Sequence, residues 1–291
     1  MADSRYRAFA MAAELGSLTR AAETLGYTQS GVSHLIKALE DELGLALLLR
    51  SRSGTAPTPE GKRLLPFVQA MLRAADAVQN VAGEIKGLQT GSMQIGTFTS
   101  VATQWLPPVL AAYTAQYPNI DVRVVNGTYS VLETALLENR LDCAFVTLPS
   151  LPEFKAVGLG ADRLMAVLPK GHALSRKKEL AAADLAKEPF VMPAEGSNYD
   201  IGKLFHAAGA VPRVRFDMGD DYAAIEMIRH GMGVTILPEL LLAEMPLSGL
   251  CTVPIKGTTR RIGLATNRGR GIAPAVRAFI GCLQAVLPQA V

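Results

Sequence analysis

Thr28, Gln29, Ser30, Ser33, His34 and Lys37 fall in one short stretch. Interleaved with them are Val32, Leu35, Ile36 and Leu39, apolar at helical spacing. A helix of that pattern hides one face and presents hydrogen-bonding side chains on the other. Gln can pair bidentately with adenine, and Ser can meet several bases. Lys37 lies four residues from Ser33, on the same face, and is suited to phosphate. Further on, Leu45 to Arg50 and Thr55 to Thr58 read as short strands around a turn, Arg52-Ser53-Gly54. Such a wing would carry Arg50 and Arg52 to the backbone or minor groove of a duplex. Arg20, on the helix before, completes the set. The chemistry on offer is DNA recognition.

The elements that must position these side chains are legible. Residues 4–15 form a helix stopped by Gly16. Ser17 caps a short helix, Leu18 to Leu25, and Gly26 marks a tight turn. Thr28 caps a third helix, Gln29 to Leu43, ended by Gly44. Two short helices around a glycine turn are the sequence form of a helix-turn-helix, whose second helix enters the major groove. Up to position 63 there are eight basic and seven acidic residues. DNA binding therefore rests on placement, not total charge. A generic three-helix cluster would carry similar caps, so the pattern alone leaves both readings open.

A second set of polar residues lies in the last two hundred positions. Strand and helix patterns alternate there. Strands are expected at Met93–Phe98, Asp121–Val125 and Cys143–Leu148, with helices at Leu106–Gln116 and Val131–Asn139 between them. That is a βαβαβ unit and a parallel sheet. Another set follows: strands Leu164–Leu168, Phe190–Met192, Arg213–Met218 and Val234–Leu237, and helices Asn198–Ala207 and Tyr222–Arg229. Strand Arg260–Thr266 and helix Ala273–Leu287 return to the first unit. The pattern implies two α/β lobes, with crossings near Gly160–Arg163 and Leu264–Arg268. Ligands on such sheets bind beyond the carboxyl ends of strands. That selects Thr97, Thr99 and Ser100, then Gly127 and Thr128, then Leu148 and Pro149. From the second lobe it selects Glu195 to Asn198, with Ser197, and Asp220. A helix cap is the competing role for each, for Asp220 above all. The acidic pair Asp220–Asp221 does not suit a simple carboxylate unless Arg213 or Arg215 offsets it.

The run GSLTRAAETLGYTQSGVSHLIKALEDELGLALLLRSRSGTAPTPEGKRLL resembles the DNA-binding region of LysR-type transcriptional regulators. The likeness comprises GS-L-T-x-AA-x-x-LG, TQ-x-x-VS-x-x-I-x-x-LE-x-x-LG, and a wing followed by T-P-x-G. LENRLDCAFV, EGSNYD and MIRHGMGVTILPE look like segments of that family's effector domain. The resemblance implies a winged helix-turn-helix, a dimerising linker helix and a two-lobed, periplasmic-binding-protein-like effector domain. It implies double-stranded operator DNA and a small-molecule effector as partners, and a homodimer or homotetramer. By the same resemblance, Ser100 and Thr128 match effector-contacting hydroxyl positions. Gly31, His34, Leu35, Leu49 and Pro57 depart from the usual residues of the family.

The resulting division is residues 1–58 for the winged domain, 59–90 for the linker helix and 91–291 for the effector domain. Within the last, lobe I is 92–161 plus 267–291 and lobe II is 162–266. In the linker, Thr58 caps a helix beginning at Pro59. Leu64, Val68, Met71, Ala75, Val78, Ala82 and Ile85 then form a heptad seam, and Gly87 and Gly91 end the run. A helix packed on its own domain is the alternative. Composition excludes other classes. Hydrophobic residues make up 49% and charged residues 19%, a globular profile. The N-terminus has no apolar signal segment. Cys143, Cys251 and Cys282 form no metal or redox motif, and no Walker loop, GxSxG or GxGxxG occurs. The chain therefore reads as a cytoplasmic binding protein, without metal or cofactor, and not as an enzyme. A periplasmic solute-binding protein would need a signal peptide and no DNA-binding domain.

Overall fold

The computed structural model describes residues 2–51, 54–85 and 91–287. The chain divides into two compact units near Gly91. The first opens with α1 (Ala2–Leu15), α2 (Leu18–Leu25) and α3 (Gln29–Leu43). Ser17 caps α2 by accepting from the Arg20 N–H at 3.3 Å, and Thr28 caps α3 by accepting from the Gly31 N–H at 3.1 Å. Gly26 and Gly44 close the two helices in the left-handed region. A two-stranded antiparallel wing follows, β1 (Leu48–Ser51) and β2 (Gly54–Pro57), and then α4 (Pro59–Ile85). Phe9, Ala12, Ala21, Val32, Ile36, Leu39 and Leu47 form the core, each fully buried.

Two polar side chains lock the wing to the helices. The Glu40 carboxylate accepts from the N–H groups of Leu47 at 2.7 Å and Leu48 at 3.1 Å. Thr58 is buried; its hydroxyl donates to the Ala46 carbonyl at 2.7 Å and accepts from the Gly61 N–H at 2.9 Å. This capping explains the T-P-x-G block. A Cβ at Gly61 would stand 2.1 Å from the Leu47 carbonyl oxygen, so α4 reaches the wing only because residue 61 has no side chain.

The expected heptad seam is divided between two faces of α4. Val68 is buried and Leu64 partly buried in the core of the same unit, with Leu72. Seven-residue spacing cannot tell a helix packed on its own domain from one packed on a second chain. The exposed large apolar side chains of α4 among the described residues are Phe67, Met71 and Val78. Ala82 and Ile85 lie within α4, and Gly87 lies outside the described residues.

The second unit is a mixed α/β structure. Its first part holds β3 (Gly91–Thr97), α5 (Thr99–Gln104), α6 (Leu106–Gln116), β4 (Ile120–Asn126), α7 (Tyr129–Leu137) and β5 (Cys143–Leu148). Then come β6 (Phe154–Pro169), α8 (Ala182–Leu185), β7 (Pro189–Met192), α9 (Glu195–Ala207), β8 (Arg213–Asp217), α10 (Asp221–Arg229) and β9 (Thr235–Pro238). The chain closes with α11 (Glu239–Leu242), β10 (Leu250–Asn267) and α12 (Pro274–Val286). The main sheet has the order β4-β3-β5-β10-β6-β9, and β7 pairs with β8 in parallel. β3 and β5 are parallel, but β10 is antiparallel to both β5 and β6, and β9 is antiparallel to β6. The parallel pairing expected for the βαβαβ unit is present between β3 and β5, and β6, β9 and β10 make the complete sheet mixed.

The two crossings are not short connections. The first is the middle of β6; the second comes earlier than Leu264–Arg268, in the middle of β10, because Val253 and Ile255 pack in the second lobe whereas Ile262, Leu264 and Ala265 already pack in the first. β6 and β10 run through both lobes and pair antiparallel, with register shifts between Pro254 and Thr259 and between Ile262 and Gly263. Gly158, Gly160 and Gly263 interrupt the apolar alternation there, which is why the sequence pattern shows only the outer halves of these strands. Each lobe has its own core. Ile95, Tyr113, Leu132, Phe145 and Phe279 fill the first. In the second, Leu164, Ala166 and Leu168 point to one face of β6 while Met165 and Val167 point to the other. Both faces are covered, so this stretch reads as an unbroken apolar run.

Gly61→Ala forces α4 or the Leu47 carbonyl to move. We expect a loss of about 1–3 kcal/mol, as for other overpacked sites. Urea unfolding followed by circular dichroism should show an earlier transition for the first unit. Fluorescence of Trp105, the single tryptophan, reports the second unit and should be unchanged; a shift there would locate the damage wrongly.

Candidate functional site

On α3, Gln29, Ser30, His34 and Lys37 are exposed and Ser33 is half-buried, opposite the buried Val32, Ile36 and Leu39. The Thr28 hydroxyl is committed to its cap and lies 3.1 Å from the Ser30 hydroxyl. Arg20 is exposed on α2. Arg50 belongs to β1, and Arg52 lies outside the described residues. Tyr27, not among the residues expected from the sequence, is 48% exposed directly before the Thr28 cap.

The second unit has a cavity of about 300 Å³ between its lobes. One wall is the start of α5 and α7, with Thr99, Ser100, Asn126 and Thr128; the other is the start of α9 and α10, with Ser197 and Asp221. The floor is Arg260 on β10. Of the sequence candidates, Thr99, Ser100, Gly127, Thr128 and Ser197 come together here. Asn198 instead lines an adjoining cavity of about 250 Å³ with Glu133 and Tyr199. Leu148 and Pro149 line neither cavity. Asp220 also lines neither; it caps α10 by accepting from the Ala223 N–H at 2.8 Å. Arg213 and Arg215 are exposed on β8 and stand outside both cavities. Thr97 is fully buried behind the wall.

Arg260 and Asp162, both missed in the sequence, organise the floor. They face each other directly across the β6–β10 ladder. Arg260 Nε and Nη2 donate to Asp162 Oδ2 at 2.9 and 2.6 Å, and Asp162 Oδ1 accepts from the Leu240 N–H at 2.9 Å. Arg260 Nη2 also donates to Ser100 Oγ at 2.6 Å, and Nη1 to the Tyr129 hydroxyl at 2.6 Å. Tyr129 donates in turn to Asp200 Oδ2 at 2.9 Å, which lies 3.6 Å from Arg260 Nη1. Ser100 and Tyr129 belong to the first lobe and Asp200, on α9, to the second, so the network spans the cleft. A signal was available. Strand alternation puts Arg260 in phase with Ile262 and Leu264, on the buried face.

Burial shapes the charges. Desolvation alone would weaken the Arg260 guanidinium's hold on its proton, but Tyr129, Asp162 and Asp200 outweigh it, and its pKa stands above the usual value. Desolvation raises the Asp200 carboxyl, against the pull of Arg260 and the Tyr129 hydroxyl. It raises Asp221 too, against hydrogen bonds from the Ala194 N–H and Ser197. The folded chain therefore holds these two protons more tightly than the unfolded chain. The stability they contribute falls as pH rises from the ordinary aspartate value through the raised one.

Residues 4–62 match the bacterial regulatory helix-turn-helix protein family, lysR type, and residues 86–288 match the LysR substrate binding domain. The chain belongs to the LysR-type transcriptional regulators. It is 31% identical to a probable HTH-type transcriptional regulator, LrrA, of Synechococcus elongatus, over 98% of this chain and 97% of that one. It is also 31% identical to an uncharacterized HTH-type regulator, YvbU, of Bacillus subtilis, over 85% of each. Full-length CbnR, solved with its target DNA, superposes with a TM-score of 0.68 at 22% identity, covering 98% of this chain and all of that one. As a LysR-type regulator the chain is a DNA-binding protein with an effector-binding domain, not an enzyme. No helix among the described residues is long and apolar enough to cross a membrane.

Removing Arg260 from this LysR-type fold strands Asp162 and Asp200 in a buried site. Arg260→Met should cost about 3–5 kcal/mol, the usual price of breaking a buried ion pair from one side. Adding Asp162→Asn should recover part of it. Urea titration followed by Trp105 fluorescence measures both, and additive losses would mean that the two residues do not act as a pair.

Proposed function

We propose that this regulator reads an operator through α3 and the wing, and that a small molecule held between the lobes of the second unit changes that binding. The cavity walled by both lobes carries the reading. A ligand touching both walls must prefer one lobe arrangement, and only such a preference can shift an equilibrium. The Tyr129–Asp200 and Arg260–Ser100 hydrogen bonds span the same gap, so a ligand there would compete with or reinforce them. Ser100, Thr99, Thr128 and Ser197 are the proposed effector contacts. Gln29, Ser30, Ser33 and His34 are the proposed base-facing residues, with Lys37 and Arg20 toward phosphate and Arg50 and Arg52 on the wing.

The proposed assembly is a homodimer through α4, extended to a homotetramer by the second unit. Phe67, Met71 and Val78 lie 4 and 7 residues apart and leave an exposed apolar stripe, as a helix seam needs. The proposed location is the cytoplasm, where operator DNA is found. The DNA complex of CbnR supports the operator as partner.

For the DNA face, Lys37→Ala should weaken binding to specific and random duplexes alike and flatten the salt dependence by about one unit. Gln29→Ala should change base preference instead. Salt titrations on both duplexes test this, and an unchanged slope for Lys37→Ala removes the phosphate assignment.

For assembly, Phe67→Asp with Val78→Asp would bury charge at the stripe. Light scattering should then report a smaller particle than the parent. An unaltered mass would mean that the dimer forms elsewhere.

A further inference from the structure

The floor of the cleft holds an imbalance of charge. Among the described residues, three aspartates, Asp162, Asp200 and Asp221, and one arginine, Arg260, are buried, and all four belong to this floor or line its cavity. Every nitrogen of that guanidinium already has a partner within the network. Asp162 and Asp200 share it. Asp221 makes no direct contact with it and feels its charge only at a distance: it lines the cavity, is 8% exposed, and has no cationic partner within ion-pair distance among the described residues. Its carboxylate is held by the Ala194 N–H at 3.1 Å and by Ser197, which fix its position without cancelling its charge.

We propose that the effector carries a protonated amine whose counter-charge is Asp221, and that simple carboxylates are excluded. This rests on the reading that the cleft is the effector site, and it names the class of ligand. A carboxylate entering the cleft finds no free cation. Arg260 is spent, the α10 N-terminus is already capped by Asp220, and the starts of α5 and α9, which carry no side-chain cap, offer only backbone N–H groups. It would also lie beside the Asp221 carboxylate, a like-charge contact that selects against it. An ammonium has the opposite fit, because it supplies the missing partner to a buried, rigidly held carboxylate. The facing wall, with the Thr99 and Thr128 hydroxyls and the Asn126 amide, can take the other polar end of the same molecule. A zwitterion such as an α-amino acid is therefore allowed, whereas its des-amino acid is not. An unpaired buried charge lowers stability until the ligand arrives, a common cost of a binding site.

The test uses the full-length protein and a panel of primary amines and α-amino acids of two to six carbons. Each amino acid is set against its des-amino acid, and each amine against the carboxylic acid of the same chain length; calorimetry and thermal shift are read at neutral pH. We expect at least one amine or amino acid to bind at least tenfold more tightly than its paired carboxylic acid. Asp221→Asn, which keeps the shape and the hydrogen bond from Ala194, should lose at least tenfold of that binding. It should also melt higher than the parent when unliganded. Asp220→Asn, a neighbouring charge outside the cavity with its cap preserved, should bind amines like the parent. Carboxylates binding as well as amines, no amine binding at all, or Asp221→Asn binding amines normally would each overturn the proposal. Ser100→Ala separates the two levels of argument. If it weakens whichever ligand binds while Asp221→Asn does not, the ligand class is wrong and the cleft stands. If neither variant alters binding, the cleft itself is not the site.

Discussion

The second unit turns on one cross-strand pair, Arg260 with Asp162. A guanidinium taken out of water is very costly unless its hydrogen bonds and its charge are both answered. Here the answer comes from four directions: Asp162 across the ladder, Ser100 and Tyr129 from the first lobe, and Asp200 from the second. That requirement fixes where β6 and β10 lie and which ends of α5, α7 and α9 must approach them. The long strands give the lobes a hydrogen-bonded ribbon in common, and the network sits at its midpoint. Any shift of one lobe against the other has to rearrange these bonds, so the cleft is mechanically linked to the ribbon that joins its walls.

The same low-dielectric setting makes the remaining charge informative. A site that only needed to be stable would pair Asp221 or replace it. The fold instead holds that carboxylate in place with a backbone N–H and a serine. Asp220, next to it in sequence, does ordinary structural work at the helix end. Two adjacent aspartates thus take different roles because one side chain turns out to cap a helix and the other turns in beneath the cavity wall.

The first unit is organised by local chemistry. Ser17, Thr28 and Thr58 each satisfy orphan N–H groups at a helix start, and Gly26 and Gly44 each close a helix end. Glu40 joins the third helix to the wing by accepting two N–H groups that no strand partner serves. The result holds the polar face of α3 outward on a tightly packed base. Gly61 shows the tolerance involved, since a single methyl there would collide with backbone.

The sequence by itself determined what depends on neighbours within a few residues. Helices α2, α3 and α6 and strand β5 have the bounds that caps, glycines and periodicity imply, because capping and amphipathic spacing are local. Thr99, Ser100, Thr128 and Ser197 were legible because strand ends and helix starts mark the edge of an α/β sheet. Tertiary structure alone decided the rest. Arg260 is separated from Asp162 by 98 residues and from Ser100 by 160, and no local pattern carries a pairing of that range. The mixed sheet was hidden for the same reason, since strand direction depends on where a distant segment returns. Val68 and Phe67 show the limit on a single helix. Both sit on apolar positions, but which one meets the core and which one faces outward is set by how α4 packs on α1 and β2, and that contact is not written in the spacing.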